Sequence, residues 1–121
     1  MTTNAIVEII HGNEKVIVYG RHDGYPGNWP KTVINAVVHR GNMPIVDAVE
    51  NIVKSLRQQD YELYLSMEIF RKKYGNEAVR IARKLANENY RIIKPSEIPE
   101  IWVYYYIIDL DKGKVTIRDI T

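Results

Sequence analysis

The apolar positions of this chain change period several times, and each change marks an element. Residues Ala5 to Ile10 form a short β-rich run, and His11-Gly12-Asn13-Glu14 reads as a turn. Lys15 to Tyr19 continues as a second strand, so the two runs predict a hairpin. Val16 and Val18 point to one face of it, Ile17 and Tyr19 to the other. Because both faces are apolar, the hairpin belongs near the middle of a sheet with cover on each side. Further on the period lengthens. Val33, Ile34, Val37 and Val38 recur at helical spacing, and Gly41-Asn42 ends that helix. A second helix opens at Asn42 or Met43 with Pro44 in its first turn. Its apolar stripe is Ile45, Val46, Val49, Ile52, Val53 and Leu56. Asp47 and Glu50 lie early in it and Lys54 and Arg57 late, which complements the helix dipole.

Asp60 is placed to cap a third helix, with Leu63, Tyr64, Met67, Phe70 and Tyr74 on one face and Gly75 as its stop. Asn76 caps a fourth, with Val79, Ala82, Leu85 and Ala86 turned inward. Lys94 to Pro99 reads as a loop. Ile101 to Leu110 is the most strand-like run in the chain, and alternation predicts Trp102, Tyr104 and Tyr106 on one face and Tyr105 on the other. Asp111-Lys112-Gly113 is a tight turn, and Lys114 to Ile120 returns as a final strand. The order ββααααββ indicates an α+β domain spanning residues 1–121. Its two hairpins are expected to join into a four-stranded antiparallel sheet with the helices packed on one face. The Tyr-rich strand lacks a charged gatekeeper along its middle, so a central position suits it. The aromatic sheet face left open by the helices predicts a symmetric homodimer.

The stretch Arg21-His22-Asp23-Gly24-Tyr25-Pro26-Gly27-Asn28-Trp29-Pro30 interrupts this regular pattern. Asp23-Gly24 is a turn dipeptide in which Gly is expected to take positive φ. Tyr25-Pro26-Gly27-Asn28 fits a type II turn, with Pro fixing φ at the second position and Gly supplying positive φ at the third. Asn28 or Trp29 then caps a helix whose first turn holds Pro30. Two turns in series make a stiff loop. It presents Arg21, His22, Asp23, Tyr25 and Trp29 at one end of the sheet, and these five residues form the candidate site loop.

Composition narrows the chemistry. The chain has 121 residues, 45% hydrophobic and 26% charged, which suits one globular domain with a real core. No apolar run reaches transmembrane length and no signal peptide opens the chain, so a cytoplasmic protein without membrane partners is expected. Zero Cys excludes disulfides, a thiolate nucleophile and Cys-ligated zinc. The 17 Ile and 9 Tyr against 3 Ser, with plentiful Lys and Glu, fit a hot habitat. The net charge of +2 is unevenly spread: residues 71–94 carry +6, leaving −4 on the remainder.

Ser55, Ser66 and Ser96 lack the Gly-x-Ser-x-Gly context of an activated nucleophile. His22 and Asp23 are adjacent, and His39 could approach them from the next helix. No metal-binding spacing accompanies them, and Asp23 bonding its own turn backbone is the simpler reading. Gly24 to Gly27 precedes a helix as a phosphate loop would, but Pro26 and Pro30 remove the N–H donors such a loop needs. Neither a metal nor a cofactor is expected. In the basic segment, Arg80, Arg83, Lys84 and Arg91 are candidates for contacting phosphates, with Tyr74 and Tyr90 available to stack on bases. The plainer reading of the same residues is solvated helix faces whose tyrosines belong to the core.

Residues 19–27, Tyr-Gly-Arg-His-Asp-Gly-Tyr-Pro-Gly, resemble a His-(x)-Asp-Gly-Tyr-Pro signature found in small uncharacterised proteins of phages and archaeal viruses. There too the signature follows an N-terminal strand, and a strand ending in Ile-Asp closes the domain, as Tyr106-Ile107-Ile108-Asp109 would here. Relatives often carry one more residue between His and Asp, whereas His22 abuts Asp23. The resemblance implies a viral origin and no particular reaction. Taken together, these features predict a non-enzymatic accessory protein acting in the host cytoplasm on a host protein or nucleic acid. The alternative is a small hydrolase or nuclease in which His22 acts with Asp23, and Arg21 stabilises a developing anion.

Overall fold

The computed structural model describes residues 2–120. Its first two strands, β1 (Ala5–His11) and β2 (Glu14–Gly20), form the expected hairpin, closed by Gly12 at φ 58°. Ala5, Ile6, Val7 and Ile9 of β1 are completely buried, so this strand is covered on both faces. The helices follow: α1 (Trp29–Val38), α2 (Ile45–Ser66), the short α3 (Glu68–Tyr74) and α4 (Ala78–Asn89). Three strands complete the chain: β3 (Tyr90–Ile93), β4 (Tyr104–Asp109) and β5 (Lys114–Asp119).

The α+β class holds, but the sheet differs from the expected four-stranded antiparallel one. It has five strands in the order β3-β2-β1-β4-β5, and β1 and β4 run parallel. The unforeseen strand is β3. A helical pattern carried through Arg91 is cut at Asn89, because Tyr90-Arg91-Ile92-Ile93 alternates faces and can pair with the free edge of β2. The parallel pair follows from the connection after β3. Residues 94–103 cross the sheet, so β4 starts at the end from which β1 starts.

Helices α1 and α2 pack on one face of the sheet. There Val7, Ile9, Val16, Val18, Tyr106 and Ile108 pack with Trp29, Val33 and Val37 of α1 and with Ile45, Val49, Val53 and Leu56 of α2. The opposite face was expected to stand open, and it does not. The crossing segment lays Ile98 and Trp102 over Ile6, Ile17 and Ile93, with Tyr19 and Tyr105 at their side. Trp102 therefore sits with Tyr105, ring centroids 5.4 Å apart, and not with Tyr104 and Tyr106. Strand alternation cannot be extended back to Trp102, because the ladder begins only at Tyr104.

The parallel pairing also brings both hairpin tips together. The Asp111 carboxylate accepts from Gly12 N at 2.7 Å and contacts His11 Nδ1 at 3.0 Å. The Gly12 N–H, and to a lesser degree His11, hold that carboxyl below its usual pKa.

α2 is one helix of 22 residues, about 33 Å long at 1.5 Å per residue. It runs straight through Asp60, which caps nothing. The polar run Arg57-Gln58-Gln59-Asp60 contains no helix breaker, and the Asp60 side chain is spent on partners elsewhere in the fold. Pro44 is the residue preceding α2 and not part of its first turn. The far half of α2 reaches past the sheet and builds a second core. Tyr61, Tyr64 and Leu65 pack there with Phe70 of α3 and with Ala78 and Ala82 of α4. Gly75, at φ 52°, ends α3 as expected. Asn76 falls in a 3-10 turn instead of capping α4, and Val79 is exposed; the inward face of α4 is Ala78, Ala82 and Ala86.

Gly20 at the end of β2 is where Trp29 reaches the sheet. A Cβ there would stand 2.0 Å from the Trp29 ring, which is itself only 2% exposed. Gly20→Ala is expected to destabilise the domain by about 1–3 kcal/mol through overpacking. The check is a shift of the denaturant midpoint, and an unchanged midpoint would show that the indole can move aside freely.

Candidate functional site

The loop after β2 is pinned from four directions. Arg21 N donates to Asn89 O at 2.8 Å, and Gly24 N donates to Thr3 O at 2.8 Å. Trp29 Nε1 donates to His22 O at 2.8 Å, and the buried Tyr106 hydroxyl donates to Gly24 O at 2.7 Å. The type II turn is present: Asn28 N donates to Tyr25 O at 3.1 Å, and Gly27 has φ 92°. Asn28 is the cap, its Oδ1 accepting from Trp29 N at 2.8 Å. One expectation is corrected. The left-handed residue of the first turn is Asp23, at φ 56°, and not Gly24. Asp tolerates that region better than most residues. Gly24 is required by space, because a Cβ there would lie 2.4 Å from Ala5 Cβ and 3.0 Å from Thr3 O.

The five candidate side chains of this loop do not form one site. Trp29 is core, and Arg21 is exposed and outside the nearby cavity. His22 and Asp23 border a cavity of about 320 Å³ together with Asp60, Leu63, Tyr64 and Asn89. The Asp23 carboxylate accepts from the Tyr25 hydroxyl at 3.0 Å, a side-chain bond where a backbone bond was the simpler expectation; that carboxylate raises the Tyr25 pKa. Behind them lies a polar network. Asn89, only 4% exposed, donates from Nδ2 to Asp60 Oδ2 at 2.7 Å and to the Tyr64 hydroxyl at 3.0 Å. The Tyr90 hydroxyl donates to Asp60 Oδ1 at 3.4 Å, and burial first, then the Asp60 charge, push its pKa up. His39 borders a different cavity, with Arg40 and Met43. Among the described residues no three His, Asp or Glu side chains group as metal ligands.

The basic candidates are also dispersed. Arg80 is paired with Glu77, the residue that immediately precedes α4. Lys84 is exposed on α4 and outside the cavity that holds Arg83. Arg91 belongs to β3, with its guanidinium 5.6 Å from the centroid of the Tyr19 ring. Tyr74 and Tyr90 are taken up in packing, Tyr74 against Phe70 and Tyr90 edge-on to Trp29.

Arg83 alone of the four enters a built concavity. A cavity of about 550 Å³ between α2 and α4 is lined by Asn51, Lys54, Ser55, Arg57, Gln58, Gln59, Arg83 and Asn87. Three of these residues are cations and none is a carboxylate. Arg57 is half-buried, and its Nε donates to Tyr90 O at 2.8 Å. Burial, and then the charge of Arg91, lower its pKa, although a guanidinium remains charged throughout the physiological range. The Arg83 guanidinium carbon lies 3.6 Å from the centroid of the Tyr61 ring, and its Nη1 donates to Gln58 Oε1 at 3.1 Å. Gln58 in turn donates to Glu62 at 3.0 Å. Lys54 and Arg57 continue into an adjoining depression of about 460 Å³ that Glu50, Val53 and Ile92 complete.

In the sequence Lys54 and Arg57 read only as a complement to the helix dipole. The available signal was the polar stripe Asn51, Lys54, Ser55 and Gln58, which recurs every three or four residues opposite the apolar stripe of α2. No protein-family model matches the chain, and no curated protein or solved structure matches it either.

The Tyr106 hydroxyl is the buried strut of the loop, and burial, with a smaller contribution from Tyr104, pushes its pKa up to about 12 from 10.0. The unfolded chain therefore loses this proton first as pH rises. The associated stability is fully present below pH 10 and is lost as pH climbs to about 12. Tyr106→Phe should cost about 1 kcal/mol at neutral pH for the lost bond to Gly24 O. It should also flatten the fall of the denaturant midpoint across that alkaline window. Identical alkaline slopes in the two proteins would contradict a protonated, buried hydroxyl.

Proposed function

We propose that this chain is a small non-catalytic nucleic-acid-binding domain whose contact surface is the cavity between α2 and α4. The observation that carries this reading is the lining: Lys54, Arg57 and Arg83 among Asn51, Ser55, Gln58, Gln59 and Asn87, without a carboxylate. Phosphates supply the matching charge, and amides offer both donors and acceptors to bases and sugars. Two of the cations are already ordered, Arg57 by Tyr90 O and Arg83 by Tyr61 and Gln58, so binding immobilises less side-chain freedom. The net +6 of residues 71–94 adds a general, long-range attraction for polyanions. A viral accessory role acting in a host cell accords with the His22-Asp23-Gly24-Tyr25-Pro26 signature.

A second reading keeps the loop as a catalytic site. What favours it is that His22, Asp23 and Asp60 border one cavity. His22 would then take a proton, and either carboxylate would orient it. Cleavage of DNA or RNA that disappears in His22→Ala, with binding retained, would establish this reading.

Binding is measured by fluorescence polarisation on labelled oligonucleotides over a salt series. The logarithm of the affinity is expected to fall linearly with the logarithm of salt. Lys54→Ala should flatten the slope by about 0.7 for a single strand, the share of one neutralised phosphate. Arg80→Ala should change it little, because Glu77 already pairs that charge. No binding to DNA or RNA at low salt would remove the proposal and leave a host protein as the partner.

A further inference from the structure

The geometry points to a more specific ligand: we infer that Arg83, backed by Tyr61, is a stacking platform for one unpaired base, so that the cavity selects single-stranded over double-stranded nucleic acid. This rests on the nucleic-acid reading above and narrows it.

Arg83 is the first ground. A guanidinium is flat and delocalised, and nucleobases stack on it as they do on aromatic rings. Here one side of the group is taken by the Tyr61 ring, and its position is held by the bond to Gln58. Arg83 is nevertheless exposed and lines the cavity, so the side away from Tyr61 is presented to a ligand in a pre-set orientation. A cation meant only for phosphate has no need of that arrangement, since a mobile lysine such as Lys54 serves as well.

The second ground is the shape and the polar lining. The cavity is a recess between two helices. A base in a duplex is stacked on both faces and cannot enter a recess without leaving the helix, which costs unstacking and unpairing. An unpaired base carries no pairing cost. Asn51, Gln59 and Asn87 stand in the same lining as Arg83 and match the donor and acceptor pattern of a base edge. The third ground is continuity. Lys54 and Arg57 are shared with the adjoining depression over Val53 and Ile92, which gives the backbone of the strand a cationic path out of the recess, bounded by Glu50. Base in the recess, phosphates along Lys54 and Arg57, is the arrangement that uses the cations and the amides of the lining together.

The test compares three forms of one sequence by fluorescence polarisation: a single strand, the same strand with a central abasic site, and the duplex, each as DNA and as RNA. The intact single strand is expected to bind roughly tenfold more tightly than the other two, the scale of one stacked base. Arg83→Lys keeps the charge and removes the plane. It should cost the single strand roughly that factor, leave the salt slope unchanged and erase the penalty of the abasic site. A 2-aminopurine at the central position should change its fluorescence on binding the unmodified protein and not on binding Arg83→Lys. Equal affinity for single strand and duplex, or for intact and abasic strands, would overturn the stacking inference and leave the phosphate-binding reading standing. No binding of any of them would overturn both. The comparison of intact, abasic and duplex ligands uses the unaltered protein, so it holds even if Arg83→Lys folds poorly.

Discussion

β1 lies between β2 and β4 with both of its faces buried, and this pairing sets the arrangement of everything else. A central strand that is apolar on both sides demands cover on both sides. The helices α1 and α2 meet one demand. The other is met by an irregular segment, residues 94–103, whose Ile98 and Trp102 cover the reverse face. That segment crosses to the end where β1 starts, so β4 runs parallel to β1. The same geometry gathers the start of β1, the start of β4 and the loop after β2 at one end of the sheet, and the two hairpin tips at the other. Tyr106 and Asp111 tie those two ends.

The length of α2 has a separate consequence. Its first half is amphipathic toward the sheet, and its second half is amphipathic toward α3 and α4. One rigid element therefore serves two cores, and a recess remains between α2 and α4 along its polar side. The small side chains Ala78, Ala82 and Ala86 let α4 approach closely, while Arg83 and Asn87, further round the same helix, border the recess. Burying a cation at such a place is costly unless it is hydrogen-bonded. Arg57 meets that condition through a backbone carbonyl at the start of β3, which joins the recess mechanically to the sheet.

The loop after β2 makes a contrast. It is the most conspicuous stretch of the chain, and most of its features are structural. Trp29 anchors α1, Gly24 makes room for β1, and Asn28 caps a helix. Only His22 and Asp23 reach a cavity, and there they meet Asp60 within a network already satisfied by Asn89, Tyr64 and Tyr90.

Local information determined what local physics controls. The first hairpin, the α2 stripe, the type II turn at Tyr25–Asn28 and the Gly75 stop all follow from side-chain period and from φ preferences over a few residues. The order of the apolar periods along the chain was enough to place it in the α+β class. The points that needed the tertiary structure are those where a residue's partner lies far along the chain. Asp60 has the chemistry of a cap, yet Asn89 and Tyr90, some thirty residues away, claim its carboxylate within a continuing helix. Tyr90–Ile93 becomes a strand because an edge of β2 is free to pair with it. Arg80, Arg83, Lys84 and Arg91 look alike as a charge run. Packing divides them into an ion pair, a cavity wall, a solvated lysine and a cation over Tyr19. Charge is a property of the sequence; which charges converge is decided by how two helices cross, and no local period encodes that.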